Sequence, residues 1–107
     1  MSELEKMYEV ILDRKENPEE GSYTNYLFDK GLEKILKKVG EESTETVIAA
    51  LSQSNEDLIN ELNDLAYHLL VLMAAKGITP ADFDRVARQR EAKQHNLKPE
   101  RRKIEKY

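Results

Sequence analysis

A chain of 107 residues is long enough for one domain, near the lower end of the size at which a single core is stable. Hydrophobic residues make up 39% and charged residues 36%, a balance typical of a thin helical protein that buries further area by oligomerising. The absence of cysteine excludes disulfides and Cys-based zinc sites. The start is acidic rather than signal-like, and the longest apolar run, 65–75, is too short to cross a bilayer. We therefore expect a cytoplasmic protein without a membrane partner.

The net charge of −4 is distributed unevenly along the chain. Residues 85–107 carry nine lysines and arginines against three acids, so the first 84 residues sum to −10. A basic tail can bind nucleic acid, but a solvated terminus is the simpler interpretation, and we expect no nucleic-acid partner. The cations of the tail could also help to hold a phosphorylated small molecule.

Two helices are predicted in the first half of the chain. In the first, apolar residues recur at the helical period after a capping box formed by Ser2 and Glu5. The polar segment 17–22 interrupts the chain, and a second helix begins near Thr24. Gly31 and Gly40 lie inside it and mark either a kink or close packing against the backbone. Its apolar stripe contains Leu32, Ile35, Leu36, Val39, Thr46, Val47 and Ala50.

Two further helices are predicted after the polar break at 52–55. Ser54 followed by Asp57 indicates the start of a third helix, and Gly77 indicates its end. A fourth helix begins with Pro80 at its first position. Its pattern fades after about residue 90, and Pro99 discourages further regular helix.

These elements predict an all-α fold with about four helices in a domain at 1–92, followed by a basic tail at 93–107, flexible or ordered. The run 65–75 is apolar nearly all the way round, and such a helix must be covered on all sides. Four short helices are too few to do this. We therefore predict a homodimer in which the two protomers complete one helical bundle.

Four carboxylates stand symmetrically about the break centred on Gln53. Glu45 lies eight residues before Gln53 and Glu61 eight residues after it, while Glu42 and Asp64 lie eleven residues before and after. In an antiparallel helical hairpin these pairs meet at matching heights, and acids three residues apart share a helix face. The four acids therefore converge at the edge of the apolar stripe.

Clustered carboxylates repel one another, so such a group requires protons or a cation. Oxygen ligands without cysteine favour Mg²⁺, with Mn²⁺ as a possible substitute. The alternative is a solvated acidic face, because 21 acids in 107 residues make chance pairs common.

Two lysines strengthen the case for a metal site. Lys34 and Lys38 lie on the same flank of the second helix as Glu42 and Glu45, nearer its start. Cations that lead into a carboxylate cluster suit a metal-bound polyphosphate. The alternative is i,i+4 pairing along a solvated face.

His68 lies one turn after Asp64, where a metal ligand, a general acid and a buried structural histidine are all open. A structural or outer-shell role is favoured, since no Glu-x-x-His pair supports ligation. Neither His68 nor His95 stands three residues after a glutamate, which argues against a carboxylate-bridged di-iron bundle.

The acid pattern resembles that of a known superfamily. GEESTE at 40–45 and ELND at 61–64 resemble the E-E-x-x-E … E-x-x-D signature of the MazG-like all-α nucleoside-triphosphate pyrophosphohydrolases. The longer pattern of SYT at 22–24, GLEKILKKVGEE at 31–42 and DLAYH at 64–68 resembles the phosphoribosyl-ATP pyrophosphohydrolase family. This resemblance covers about residues 3–90.

The resemblance implies the second step of histidine biosynthesis, in which phosphoribosyl-ATP is cut between its α and β phosphates with Mg²⁺. It also implies a dimer of helical protomers. The metal ligands that it implies are Glu42, Glu45, Glu61 and Asp64. The substrate contacts that it implies are Lys34, Lys38 and, more weakly, Thr24.

No side chain is an obvious nucleophile, so direct attack by water is expected, with Glu41 or Glu45 accepting the proton. Glu41 matches the first acid of the signature and could instead act from the outer shell. A housekeeping pyrophosphohydrolase that removes dUTP or a damaged triphosphate would share these acids. A non-catalytic helical interaction module is the further alternative, in which metal neither binds nor stabilises the fold.

Overall fold

The fold is described from a computed structural model, which defines the backbone of residues 1–104 and the side chains of residues 1–93. The backbone forms α1 (Glu3–Glu16), α2 (Tyr23–Lys30), α3 (Leu32–Ser52), α4 (Asn55–Ala75) and α5 (Pro80–Ile104). Residues 1–104 contain no strand, so the predicted all-α class is confirmed. None of the described helices is long and apolar enough to span a membrane.

The predicted helix ends are mostly found where the sequence indicated them. The Ser2 hydroxyl accepts a hydrogen bond from the Glu5 amide and the Glu5 carboxylate accepts one from the Ser2 amide, which confirms the capping box. The Ser54 hydroxyl caps α4 by accepting a hydrogen bond from the Asp57 amide. Gly77 follows the end of α4 with φ +74°, and Pro80 is the first residue of α5.

The predicted second helix is in fact two helices. Gly31 has φ +89°, a left-handed backbone that ends α2 and begins α3. A helix cannot continue through that conformation, and glycine adopts it without the steric cost that a side chain would add. The protomer therefore has five helices in its described backbone instead of about four. Gly40 is an ordinary residue within α3, with open space where a Cβ would be.

Helices α3 and α4 form the antiparallel hairpin that dominates the fold, and α1 and α2 pack against it. The core between these helices consists of Tyr8, Ile11, Leu27, Ile35, Leu70, Val71 and Ala74. The Tyr8 hydroxyl donates a 2.9 Å hydrogen bond to the Ile78 carbonyl and so links α1 to the turn after α4. These contacts hold the hairpin at the end opposite its turn and leave the turn itself uncovered.

The predicted inner stripe of α3 is wrong in part. Ile35 is buried, but Leu32, Leu36 and Val47 are exposed, because α2 packs over a narrower strip of α3 than the apolar pattern suggested. The hairpin consequently has an uncovered apolar surface, which we call the open face. The open face consists of Val47, Ile48, Leu51, Ile59, Leu62 and Leu69.

Helix α5 is longer than predicted, since its backbone continues past Pro99 to Ile104. The segment is rich in arginine, lysine, glutamate and glutamine, which all favour helix. The side chains of 94–107, including His95, lie outside the described residues. The boundary at 92/93 and the flexibility of the basic tail stay predictions.

Candidate active site

The α3–α4 hairpin brings three of the predicted metal ligands together. Glu42 and Glu45 from α3 and Glu61 from α4 each offer a carboxylate oxygen, and these oxygens all lie within 4.8 Å of one another. The register about Gln53 is the cause, because residues equally distant from the turn of a hairpin face each other. We call Glu42, Glu45 and Glu61 the carboxylate trio.

The trio is partly removed from water. The Glu42 side chain is buried, with 7% of the residue exposed, and the Oε2 atom of Glu61 is buried without any hydrogen-bond partner among the described residues. Burial raises the pKa of Glu61, and the negative charges of Glu45, Asp64 and Glu42 raise it further. A buried carboxylate oxygen that faces two other carboxylates requires a proton or a cation. The residues therefore fit a divalent cation that prefers oxygen ligands, such as Mg²⁺ or Mn²⁺.

Asp64, the fourth predicted ligand, lies beside the trio but is not part of it. Its side chain is exposed, one turn beyond Glu61 on α4. Its charge contributes to the raised pKa of Glu61, so the two carboxylates are neighbours. Of the four acids predicted to converge, the structure thus places three in mutual contact range and the fourth at the rim.

Lys38 connects the trio to Glu41. The Lys38 ammonium lies 3.3 Å from a Glu41 carboxylate oxygen and 3.7 Å from one of Glu42. Burial acts to lower the pKa of Lys38, but the hydrogen bond to Glu41 and the charges of Glu41 and Glu42 outweigh it, so the pKa is raised. Lys38 therefore carries a positive charge at the edge of the acidic cluster. Glu41 is directed at this ammonium instead of at the trio.

Thr24, the weaker of the substrate contacts implied by the resemblance, lies in the interior of the protein. It is buried, and its hydroxyl is hydrogen-bonded to the Tyr67 hydroxyl. This pair joins α2 to α4, so the geometry gives Thr24 a packing role. Lys34 lies one turn before Lys38, with its ammonium 5.9 Å from the centre of the Tyr26 ring.

His68 is buried and fully hydrogen-bonded, with 5% of the residue exposed. Its Nδ1 lies 2.7 Å from the Asp64 carbonyl oxygen, which can only accept, so Nδ1 carries the proton. Its Nε2 then accepts a 3.0 Å hydrogen bond from the Tyr23 hydroxyl. This geometry agrees with the favoured structural or outer-shell role of His68.

The sequence did not predict the aromatic contacts of Tyr23 and Tyr26. Their rings stack against each other, and the Tyr23 ring also stacks against Tyr67. The three-residue spacing of Tyr23 and Tyr26 placed both on one helix face, but nothing local indicated that this face would meet α4.

The chain matches the family described as phosphoribosyl-ATP pyrophosphohydrolase over residues 4–91. A protein named phosphoribosyl-ATP pyrophosphatase from Clostridium novyi (strain NT) is 55% identical over 102 residues, which cover 95% of this chain and 93% of that protein. A protein of the same name from Clostridium acetobutylicum is 57% identical with the same coverage. Another, from Listeria innocua, is 60% identical over 90 residues, which cover 84% of this chain and 86% of the relative. The matched region contains every predicted site residue.

Proposed function

This chain belongs to the phosphoribosyl-ATP pyrophosphohydrolase family, a family of hydrolases, and from that premise we propose that it hydrolyses phosphoribosyl-ATP to phosphoribosyl-AMP and pyrophosphate. The reaction would be the second step of histidine biosynthesis and would require Mg²⁺. A biosynthetic step on a charged nucleotide also fits the cytoplasmic location expected from the sequence.

The observation that carries the proposal is the carboxylate trio with the unpartnered Glu61 oxygen inside the region that the family matches. Glu42, Glu45 and Glu61 would hold the cation, and Asp64 would complete the set from the rim. When bound there, Mg²⁺ would supply Lewis-acid polarisation of the phosphates and a more acidic water. Without a cation the three negative charges would repel a polyphosphate, which agrees with a metal-dependent activity.

The lysines beside the trio would bind the substrate instead of the metal. Lys38 and Lys34 would neutralise phosphate oxygens that the metal does not reach. The Tyr23 hydroxyl donates to the Nε2 of His68, but burial raises its pKa, so among the described residues beside the trio it is not an activated nucleophile. Direct attack by water is therefore part of the proposal. Of the two proposed bases, Glu45 is favoured because Glu41 is paired with Lys38. Glu41 would then hold Lys38 in position for the phosphates.

A homodimer is part of the proposal, and the open face supports it. The six exposed apolar side chains of the open face, on α3 and α4, are of the kind that a second protomer would cover. Covering it would complete the MazG-like bundle around the projecting turn of α3 and α4.

The test is pyrophosphate release with Mg²⁺ from phosphoribosyl-ATP, ATP, dUTP and dCTP at equal concentrations. We expect strong preference for phosphoribosyl-ATP, loss with EDTA, and loss in Glu42→Gln. Glu9→Gln, which changes an exposed acid on α1 instead of one on the α3–α4 hairpin, is the matched control and should keep full activity. Preference for a plain triphosphate would instead indicate a housekeeping pyrophosphohydrolase that uses the same site. No pyrophosphate release from any substrate would refute the proposal.

A further inference from the structure

Three tyrosines form a row that leads from the core to the surface, and its middle member, Tyr23, is close enough to Lys38 and Glu42 for their charges to act on the pKa of its hydroxyl. The ring centres of Tyr26 and Tyr23 lie 6.0 Å apart with 24° between the ring planes. Those of Tyr23 and Tyr67 lie 6.2 Å apart with 26° between the planes. Tyr67 is half-buried, whereas Tyr23 and Tyr26 are 46% and 42% exposed. The row therefore ends in an aromatic surface that is open to solvent.

The inner part of this row is fixed in place by hydrogen bonds. The Tyr67 hydroxyl is bonded to buried Thr24, and the Tyr23 hydroxyl to buried His68. The Tyr26 hydroxyl, in contrast, has no hydrogen-bond partner among the described residues. Tyr26 is thus supported by a rigid ring on one side without being tied to the fold itself. A positioned and exposed aromatic ring is the arrangement on which nucleobases stack.

The surroundings of Tyr26 are positively charged. The ammonium groups of Lys30 and Lys34 lie 5.8 and 5.9 Å from the centre of its ring. Among the side chains of residues 1–93, no carboxylate oxygen lies within 4.0 Å of either ammonium. Both cations are therefore available to an anionic ligand that rests against the ring.

The spacing of the charged residues along α3 suits a nucleotide. Lys34, Lys38 and Glu42 follow one another at four-residue steps along α3, so one helix flank leads from the tyrosines to the metal ligands. Lys34 and Glu42 are eight positions apart in the sequence, which corresponds to about 12 Å at about 1.5 Å per residue. A phosphate chain at the trio and Lys38 would leave the sugar and base of the same molecule near Tyr23 and Tyr26.

We propose that the purine base of the substrate stacks on the outer face of Tyr26, the end of the row that Tyr23 supports from behind, with Lys30 and Lys34 facing its phosphoribosyl arm. This inference rests on the proposed function, because that function makes the substrate a nucleotide with an adenine base. It adds a specificity element, because ATP lacks the phosphoribosyl arm and with it the additional phosphate that the two lysines would contact.

The decisive variants are Tyr26→Leu, which keeps an apolar side chain but removes the ring, and Tyr26→Phe, which keeps the ring and removes the hydroxyl. Tyr26→Leu should raise KM for phosphoribosyl-ATP about tenfold with kcat within about twofold, in line with the contribution of one stacked base. Tyr26→Phe should have the same KM as the wild type. Phe83→Leu is the matched control, since Phe83 is a 64% exposed ring on α5 outside the site, and its KM should not change.

A second measurement does not depend on turnover. AMP carries the base but no phosphoanhydride, and the proton NMR signals of its base should move upfield when it stacks on the rings. We expect this shift with the wild type, Tyr26→Phe and Phe83→Leu, and its loss with Tyr26→Leu. If phosphoribosyl-ATP is hydrolysed but Tyr26→Leu changes neither KM nor the AMP shifts, the subsite is wrong and the function stands. If no substrate is hydrolysed, AMP shifts that disappear in Tyr26→Leu would support the subsite alone, and shifts that persist there would overturn it.

Discussion

Glu61→Gln tests two consequences of the carboxylate trio, the repulsion between its charges without a metal and the binding of Mg²⁺. Glutamine keeps the shape of the side chain and removes its charge. In the metal-free protein, burial and the charges of Glu45, Asp64 and Glu42 raise the pKa of Glu61. A carboxyl whose pKa is higher in the folded than in the unfolded state contributes stability below its ordinary pKa of about 4.3, and this contribution is lost as pH rises through the folded-state pKa. In EDTA the variant should therefore be at least as stable as the wild type at pH 7. The difference should close as pH falls towards 4.

With Mg²⁺ the wild type should be more stable than Glu61→Gln. A cation at about 100 times its Kd stabilises the folded state by about 2.7 kcal/mol. Glu61 is one of three oxygen donors that lie within 4.8 Å of one another, so its loss should weaken binding about 100-fold, the upper end of what outer-shell changes cost. The same Mg²⁺ concentration would then stabilise the variant by only about 0.4 kcal/mol. At about 4 °C per kcal/mol, the wild type should gain about 11 °C in Tm and the variant about 2 °C.

The assay is thermal unfolding followed by circular dichroism, with EDTA or Mg²⁺, at pH 4.5 and pH 7.5. Glu9→Gln is the control and should respond to Mg²⁺ as the wild type does. An equal Mg²⁺-induced rise in Tm for the wild type and Glu61→Gln would refute the trio as the metal site. A Glu61→Gln variant that is clearly less stable than the wild type in EDTA at pH 7.5 would refute the argument from charge and burial.

Three further predictions concern the fold and the assembly. Gly31→Ala should destabilise the protein by about 1–2 kcal/mol in urea unfolding, because φ is +89° and the open space around the Cβ position leaves backbone strain as the cost; an unchanged midpoint would contradict this. Tyr8→Phe removes the 2.9 Å hydrogen bond to the Ile78 carbonyl and should cost about 1 kcal/mol in the same experiment, whereas Tyr26→Phe, which loses no hydrogen bond within the described fold, should cost nothing measurable. Leu62→Glu places a charge on the open face and should convert a dimer into monomers by light scattering, while Val10→Glu on the outer side of α1 should not; a wild type that is already monomeric would refute the dimer.

Much of the candidate site was predictable because its geometry is local. The helical rise and period act over a few residues, so the distances of Glu45 and Glu61 from Gln53 were enough to place them opposite each other once the segment was known to be a hairpin. The helix ends at Ser2, Ser54 and Pro80 followed from hydrogen bonds within one turn. The all-α class followed from the same periodicity.

The rest depended on contacts between residues that are far apart in the sequence. Gly31 could have continued the helix, and it adopts a positive φ because α2 folds back against α3 and α1. Which apolar residues of α3 are buried was likewise decided by the narrow strip that α2 covers. Tyr23 and His68 are 45 residues apart, and only the packing of α2 on α4 brings them within hydrogen-bonding distance. A helix determines its own faces from local sequence, but which face meets a neighbour depends on the packing of the whole chain.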